Sequence, residues 1–180
     1  MLTVSGTIFV WGRNEWGQLG IGATQEPFVP FPSLLKAIRG QQVCDFQLGE
    51  EHSVCVTLEG GVFSWGNGAQ GQLGHGNAGN GNSPRKIFEL MGEKVEKIAV
   101  GRRHTVCCTD KGIIFSFGMN IHGQLGKPTD GKLLAPEKID FLADWSNCVC
   151  LAAGGDQTFV ASSRVDWKFL RGKQPSRTNF

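Results

Sequence analysis

Short apolar stretches separated by glycine-rich turns run along the chain, and long helical periodicity is absent. Val95–Val100 partly alternates, His104–Thr109 is rich in β-branched and small apolar residues, and residues 113–118 follow a glycine turn. Stretches of this kind are typical of short antiparallel strands. A fourth strand is expected near residues 136–139, because proline is tolerated at strand starts and edges. The pattern therefore predicts units of four short strands.

The strand pattern repeats with a period of roughly fifty residues. Trp-Gly-x-x-x-x-Gly-Gln-Leu-Gly occupies residues 11–20 and 65–74, and residues 117–126 repeat it with Phe in place of Trp. A second marker, containing Gly-x-x-His-Ser/Thr, lies within residues 43–57 and 95–109, with a weaker copy at 148–162. The repeated positions are Trp11, Gly12, Gly17, Gly20, Gly49, His52, Trp65, Gly66, Gly71, Gly74, Gly101, His104, Phe117, Gly118, Gly123 and Gly126.

Four antiparallel strands per unit match the blade of a β-propeller. Glycine supports this all-β prediction, since it accounts for 26 of the 180 residues against an average usage of about 7%. The predicted fold is a β-propeller arc with two complete blades, residues 43–94 and 95–147, and two partial ones, residues 1–42 and 148–162. Paired aromatic residues that recur on the third strands are interpreted as packing between blades: Phe9 with Trp11, Phe63 with Trp65, and Phe115 with Phe117.

These motifs resemble the regulator of chromosome condensation repeats over about residues 6–162. The shared hallmarks are a strand ending in Trp-Gly, a Gly-Gln-Leu-Gly loop and a Gly-x-x-His-Ser/Thr hairpin. The resemblance implies a seven-bladed propeller. Members of the family include exchange factors for small GTPases, ciliary GTPase regulators, and propeller domains attached to ubiquitin ligases or kinases.

The number of blades falls well short of seven. The first partial blade would contribute a third strand at residues 6–12 and a fourth near residues 28–31, and the last would contribute two strands ending near Ser162. This shortfall favours a fragment, a truncated isoform or an incomplete gene model. An open arc has two lateral edges, and open strand edges invite pairing with other chains, so self-association is expected.

The C-terminal residues 163–180 depart from the repeat and are basic. Two interpretations stay open: a diverged strand in which Trp167 or Phe169 serves as the blade aromatic, or sequence from an alternative splice end. A short basic end is most often solvated, and the net charge of the chain is only +2. We therefore expect no specific nucleic-acid partner and, without a long apolar run, no membrane span.

The six cysteines replace small apolar residues at equivalent repeat positions. Cys55 and Cys107 share one position, and Cys44 matches Glu96 and Val149. This substitution pattern is typical of buried free thiols rather than of disulfides or zinc ligands. With no evident signal peptide, reduced thiols favour a cytoplasmic or nuclear location.

No motif in the chain predicts catalysis or a cofactor. Residues 66–71 match G-x-G-x-x-G, but no helix follows them to hold a pyrophosphate, so they are interpreted as repeat geometry. His52 and His104 occupy equivalent positions, and Gln157 replaces them in the last unit. They are interpreted as turn histidines that hydrogen-bond neighbouring backbone, since glutamine cannot perform the acid–base chemistry of histidine. The sequence predicts a protein that is not an enzyme and has no metal site.

Residues that differ between the units are the better candidates for a partner surface, because function in repeat proteins resides in variable loops. They include Trp16, the insert at residues 75–83, and the contrast of Glu50 and Glu51 with Arg102 and Arg103. These opposite charges lie on adjacent blades at one rim, where they form either an ion pair between blades or part of a partner surface.

The leading functional hypothesis is a non-enzymatic module that binds a protein partner through its rim loops. One alternative, implied by the resemblance, is guanine-nucleotide exchange or regulation of a Ran-like small GTPase. Another is a substrate-binding propeller segment of a ubiquitin ligase, although no catalytic domain occurs in this sequence.

Overall fold

The chain folds into antiparallel sheets that follow one another in sequence order. The computed structural model describes residues 2–3, 6–23, 26–128, 131–140 and 148–162. The strands are β1 (Phe9–Arg13), β2 (Phe28–Leu34), β3 (Val43–Leu48), β4 (His52–Thr57), β5 (Val62–Gly66), β6 (Gly81–Lys86), β7 (Val95–Val100), β8 (His104–Thr109), β9 (Ile114–Met119), β10 (Lys132–Lys138), β11 (Cys148–Gly154) and β12 (Gln157–Ser162). Single turns of 3₁₀ helix lie at Lys36–Ile38 and Phe88–Leu90.

The sheet topology confirms the predicted arc of β-propeller blades. Strands β3 to β6 form one four-stranded sheet, and β7 to β10 form a second, each in sequence order. The pairs β1–β2 and β11–β12 form two-stranded sheets at the two ends. The predicted tail at residues 163–180 lies outside the described residues.

The fourth strand of the third unit begins earlier than the sequence suggested. In the third unit it starts at Lys132 rather than near Pro136, and its pairing with β9 is irregular between Leu133 and Glu137. Proline lacks the N–H that a regular ladder needs, so an irregular pairing on an edge strand accommodates it. The irregularity therefore lets the strand extend through the proline.

The second strand of each complete unit forms the centre of the fold. All residues of β4 and of β8 are buried, because each strand is paired on both sides within its own sheet and covered by the adjacent units. Three apolar clusters fill the spaces between successive units. The middle one joins Val54, Ile87 and Leu90 to Val95, Ile98 and Phe117.

Aromatic side chains seal the contact between one unit and the next. Trp65 is completely buried, and its indole Nε1 donates to the carbonyl oxygen of Gln18 at 2.9 Å. A Cβ added at Gly20, whose φ is +71°, would lie 2.6 Å from that Nε1. Phe117 covers Gly74 in the same way, at 2.8 Å from the equivalent Cβ. The last glycine of Gly-Gln-Leu-Gly is therefore required by conformation and by the aromatic ring above it.

Trp11 departs from the predicted packing between blades. It is 47% exposed, whereas Trp65 and Phe117 are buried. A preceding Gly-Gln-Leu-Gly loop covers each of the two buried rings, and no such loop precedes Trp11 in this sequence. The interpretation is therefore right for Trp65 and Phe117, whereas Trp11 does not pack between units in this structure.

A repeated hydrogen bond connects each Gly-Gln-Leu-Gly loop to the following unit. The backbone carbonyls of Gln18, Gln72 and Gln124 accept the side-chain hydroxyls of Ser53, Thr105 and Thr158 at 2.7, 2.9 and 2.7 Å. We call this contact, together with the aromatic ring over the glycine, the seam. Each seam satisfies a loop carbonyl that would otherwise be left without a partner on burial.

The two histidines were predicted to hydrogen-bond the backbone of their own hairpins. In the structure they instead bond side chains of the next unit. Nε2 of His52 lies 3.0 Å from Oγ1 of Thr105, and Nε2 of His104 lies 2.9 Å from Oγ1 of Thr158. Because each threonine hydroxyl donates its proton to a glutamine carbonyl, it can only accept from the histidine. Both rings therefore carry their proton on Nε2. Each ring reaches the next unit because the strand that it begins, β4 or β8, faces that unit.

The marker glycines Gly49 and Gly101 make room for these rings. Neither glycine has a positive φ. A Cβ at Gly49 would lie 2.5 Å from Nδ1 of His52, and a Cβ at Gly101 would lie 2.1 Å from Cε1 of His104. A methyl group at that distance forces the histidine or the backbone to move. Close packing, rather than turn conformation, therefore requires glycine at this position.

Gly101→Ala is expected to destabilise the chain by about 1–3 kcal/mol, because the added methyl overpacks the His104 ring. Gly154→Ala is the matched control. Gly154 occupies the same repeat position, but nothing lies within 4 Å of its Cβ, so the change should alter stability by less than about 1 kcal/mol. Urea unfolding of the two variants measures the difference. Equal effects would show that the histidine contact is not the reason for glycine.

Acidification is expected to weaken the fold through His52. Burial lowers the pKa of His52 from 6.5 to about 3, so the fold holds the ring neutral. The neutral ring contributes its full stabilisation at a pH above 6.5, the pKa of histidine in the unfolded chain. That stabilisation is lost as the pH falls from 6.5 toward 3. Between pH 7.5 and pH 5 the loss should be about 2 kcal/mol, measured by urea unfolding at both values.

The control for this pH dependence is His52→Gln. This change introduces the residue that occupies the equivalent position of the last unit, Gln157. The amide can hydrogen-bond the Thr105 hydroxyl but does not titrate. The free energy of unfolding of the variant should therefore fall less steeply with pH, by about 1.4 kcal/mol per pH unit below pH 6.5. An unchanged slope would assign the acid sensitivity to other groups.

Candidate functional site

The strand order places the variable loops of every unit at one rim of the arc. His52 at the start of β4 pairs with Gly66 at the end of β5, so the turn before β4 lies beside the loop after β5. His104 and Gly118 pair in the same way. We call this surface the loop rim: the turns at residues 49–51, 101–103 and 155–156 and the loops at residues 14–23, 67–80 and 120–128.

Internal hydrogen bonds hold the backbone of each rim loop. The side-chain oxygens of Gln18, Gln72 and Gln124 accept the backbone N–H two residues earlier, at 2.9, 2.8 and 2.9 Å. Asn14 and Asn120 accept the N–H of Leu19 and Leu125 at 3.1 and 2.9 Å. Glutamine and asparagine side chains at equivalent positions thus stabilise the same loop conformation in different units.

The residues that point outward from these loops differ between units. Trp16 in the first loop is 38% exposed, and its equivalents are Gln70 and His122. Ile121 in the third loop is 65% exposed, and sequence reasoning missed it. Its signal was available, since Glu15 and Ala69 occupy the equivalent positions. A fixed backbone that presents varied side chains is suited to recognition.

The predicted contrast of charges forms an ion pair between adjacent units. Nε of Arg102 lies 3.5 Å from Oε2 of Glu50, and Nη1 of Arg102 lies 3.9 Å from Oδ2 of Asp156 in the following unit. Arg102 and Glu50 are about half exposed, so the pair contributes little to stability. Both side chains remain accessible to a partner.

The other two charged candidates are half-buried. Glu51 accepts the Nδ2 hydrogen of Asn67 at 2.8 Å within its own unit. The backbone carbonyl of Arg103 accepts the N–H of Met119 at 2.9 Å. Glu51 therefore braces the rim loop, and the structure does not bring Arg103 into the ion pair of Arg102.

Arg13 extends the charged surface at the start of the arc. Its guanidinium donates to Glu15, with Nε at 2.9 Å from Oε2. This hydrogen bond raises the pKa of Arg13, with smaller contributions from Glu51 and Glu50. Positive and negative charges thus alternate along the loop rim.

The G-x-G-x-x-G segment lies in a rim loop and has no following helix. The loop leads into β6, and the two short helical turns described lie elsewhere. A Cβ at Gly68 would lie 2.0 Å from the carbonyl oxygen of Gly79. The central glycine therefore allows two backbone segments to approach, and the loop has no helix N-terminus for a phosphate.

The buried titratable groups are held in their neutral forms. Burial raises the pKa of Cys55, Cys107 and Cys108 to about 12 and lowers the pKa of His75 and His104. Thiols of this kind are poor nucleophiles. Within the part of the chain that the structure describes, no three His, Cys, Asp or Glu side chains form a group that could hold a metal ion.

The thiol prediction is right for three cysteines and wrong for two. Cys55, Cys107 and Cys108 are buried, but Cys44 and Cys150 are exposed. Cys44 lies where the pairing of β3 with β4 shifts register between Val43 and Asp45. A register shift of this kind breaks the alternation that would turn the side chain inward. All six cysteines are free.

The described helices are too short, or too polar, to cross a lipid bilayer.

Comparisons with known proteins agree with the repeats seen in the structure. The model of the Regulator of chromosome condensation (RCC1) repeat matches residues 5–56, 59–108 and 111–161. The chain is 40% identical over 176 residues to the probable E3 ubiquitin-protein ligase HERC4 of Homo sapiens, in an alignment covering 88% of this chain and 16% of the relative.

Solved structures share the fold. Human WBSCR16 superimposes with a TM-score of 0.78 and 26% identity, over 91% of this chain and 42% of that chain. Prp20p of Saccharomyces cerevisiae gives a TM-score of 0.77 and 23% identity, over 89% of this chain and 40% of its own. The chain therefore spans less than half the length of each of these proteins. With three matched repeats and the seams that join them, the chain belongs to the regulator of chromosome condensation (RCC1) repeat family.

Proposed function

We propose that the chain is a non-enzymatic interaction module that binds a protein partner through the loop rim. The observation that carries this proposal is that two sets of side chains in each rim loop have different roles. Glutamine and asparagine side chains hold the same backbone conformation, while the outward residues differ from unit to unit. Such a surface presents a specific pattern without needing to move.

The chemistry of the loop rim favours a protein partner. Trp16 and Ile121 supply exposed apolar surface, and aromatic residues are enriched among the anchors of protein interfaces. Glu50 and Arg102 supply charges of both signs on adjacent units. Mixed charges around apolar anchors match the polar rim of a protein interface, whereas nucleic acid requires a dominant basic patch.

Two narrower functions remain as alternatives. The relationship to HERC4 favours a substrate-binding propeller segment of a ubiquitin ligase, in which catalysis would reside outside these repeats. The fold shared with Prp20p, which is described with binding properties to Gsp1p and histones, is compatible with exchange or regulation of a Ran-like small GTPase. Both alternatives use the propeller as a docking surface, so they specialise the same proposal.

A double variant tests the loop rim. Trp16→Ala with Ile121→Ala should reduce recovery of bound proteins from cell extract by roughly tenfold or more, because truncating interface anchors costs over 1 kcal/mol each. The control is Phe88→Ala with Met91→Ala, which removes a more exposed pair of large apolar side chains that lies outside the loop rim. Quantitative mass spectrometry of the captured proteins measures both. Loss with the control but not with the test variant would overturn the proposed surface.

A nucleotide-release assay separates exchange activity from simple binding. The chain is incubated with Ran-like small GTPases loaded with a labelled guanine nucleotide. If the chain only binds a partner, the labelled nucleotide should be released at the same rate with the chain as without it. Acceleration that Trp16→Ala abolishes would instead favour the exchange function.

A further inference from the structure

One serine on the fourth strand of the second unit has no hydroxyl counterpart in the neighbouring units. A proline recurs in each fourth strand, at residues 32, 84 and 136. The residue before it is Phe31 in the first unit, Ser83 in the second and Ala135 in the third. Ser83-Pro84 is also the single place in the 180-residue sequence where serine or threonine precedes proline. The second unit therefore carries a hydroxyl group where its neighbours carry apolar side chains.

The pairing of β6 with β5 leaves this serine outside the regular ladder. The flanking pairs place residues 82–84 opposite the single residue Trp65. Extra residues in a bulge of this kind stay unpaired, and Pro84 has no N–H to donate. β6 is also the end strand of its four-stranded sheet. Because described units flank this blade on both sides, Ser83 has the surroundings of an internal blade.

We propose that Ser83 is a phosphorylation site for proline-directed serine kinases. Enzymes of this class take an extended segment in which proline follows the serine, and a proline ring holds the residue before it in the extended region. Two exposed cations, Arg85 and Lys86, follow the proline and suit the cyclin-dependent members of the class. The inference goes beyond the proposed function, since it requires no partner at the loop rim.

Magnesium-bound ATP is the phosphate donor for this reaction. The Oγ atom of Ser83 forms a bond to the γ-phosphorus, and the bond from that phosphorus to the bridging oxygen breaks, so that ADP leaves. The hydroxyl proton passes to the base of the kinase. The product carries a charge of about −1.5 to −2 at neutral pH.

A cleft beside Ser83 has room for the phosphate. The cleft has a volume of ≈ 520 Å³ and lies between β6 and the first unit. Gly22 of the first rim loop faces the hydroxyl, and even an added Cβ at this glycine would lie 4.0 Å from Oγ of Ser83. Ser83 is half-buried. Its side chain therefore borders open space rather than packed protein.

The cleft also contains a cation. Among the described residues that line it, Lys36 is the one that carries a charge. Lys36 is exposed and begins the 3₁₀ turn of the first unit. Ammonium groups form charge-assisted hydrogen bonds to phosphate oxygens. The modification therefore adds an ion pair between the first and second units.

The segment that carries Ser83 supports the loop that presents Trp16. The backbone N–H of Gly22 donates to the carbonyl oxygen of Asn82 at 2.9 Å. A Cβ added at Gly17 would lie 2.7 Å from the Cα of Asn82, so the loop and the strand are in close contact. Phosphorylation thus changes the charge directly beside one of the rim loops.

Incubation of the full chain with magnesium-bound ATP and a cyclin-dependent kinase tests the site. Peptide mapping by mass spectrometry should place the phosphate on Ser83, and Ser83→Ala should abolish it. Pro84→Ala keeps the hydroxyl and should slow the reaction by about tenfold or more, because the serine is no longer held extended. Ser33→Ala is the matched control, since Ser33 lines the same cleft without a following proline. Absence of phosphate from Ser83 would overturn the proposal.

A peptide that spans residues 78–90 tests whether the fold presents the serine. The full chain should be phosphorylated within about tenfold of the rate of the peptide, because an unpaired segment of an end strand requires little local opening. A slower rate in the full chain would show that the fold withholds Ser83, and it would overturn the site.

Thermal unfolding tests the ion pair with Lys36. The phosphorylated chain should unfold about 1–3 °C above the unmodified chain, as for one exposed ion pair, and Lys36→Met should remove the rise. Lys94→Met is the control, because it deletes an exposed lysine that does not line the cleft, and it should keep the rise. An unchanged Tm, or a rise that survives Lys36→Met, would overturn the ion pair.

Discussion

Each unit of this fold depends on a seam that it shares with its neighbour. A loop carbonyl accepts a hydroxyl from the following unit, and a buried ring covers the last glycine of the same loop. Glycine is needed because any side chain would enter the ring. Since every unit supplies one half of a seam and receives the other, the sheets stack in sequence order, and the stability of each unit depends on its neighbours.

The histidines at the starts of β4 and β8 extend this dependence. His52 reaches the threonine hydroxyl that already serves the next seam, so two successive contacts share one atom. Sharing makes the contacts cooperative, because moving the hydroxyl disturbs both bonds. The neutral ring is consequently a hydrogen-bond donor between units.

The division between seam and rim explains how one scaffold can serve different partners. Seam residues are restricted by packing and hydrogen bonding, whereas the outward positions near Trp16 and Ile121 carry no such restriction. The relatives fit this view, since the same repeat fold occurs in a protein described as a probable ubiquitin ligase and in one described with Gsp1p and histones. The side chains that we propose as the interface are therefore ones that the fold does not need.

Much of the fold could be predicted because the repeat shows each strand more than once. Three copies of one motif identified blades, strand order and the loops that hold variable residues. The site was less accessible: Trp16 was found as a non-repeating aromatic, but Ile121 was missed, and the ion pair of Arg102 with Glu50 was one of two interpretations. Ile121 differs from its equivalents Glu15 and Ala69, but an apolar residue in a loop is recognised as part of the surface only when its exposure is known.

The sequence by itself determined the repeat, its period and the residues of each seam, because local strand and turn preferences recur in register along the chain. Only the tertiary structure decided what those residues do. It showed that His52 bonds the next unit, that Gly101 is required by a ring rather than by a turn, and that Trp11 stays exposed while its equivalents are buried. The reason is that a seam lies between units. Its hydrogen-bonded halves are 33 to 47 residues apart in the chain, and local sequence preferences do not determine which residues meet across that separation.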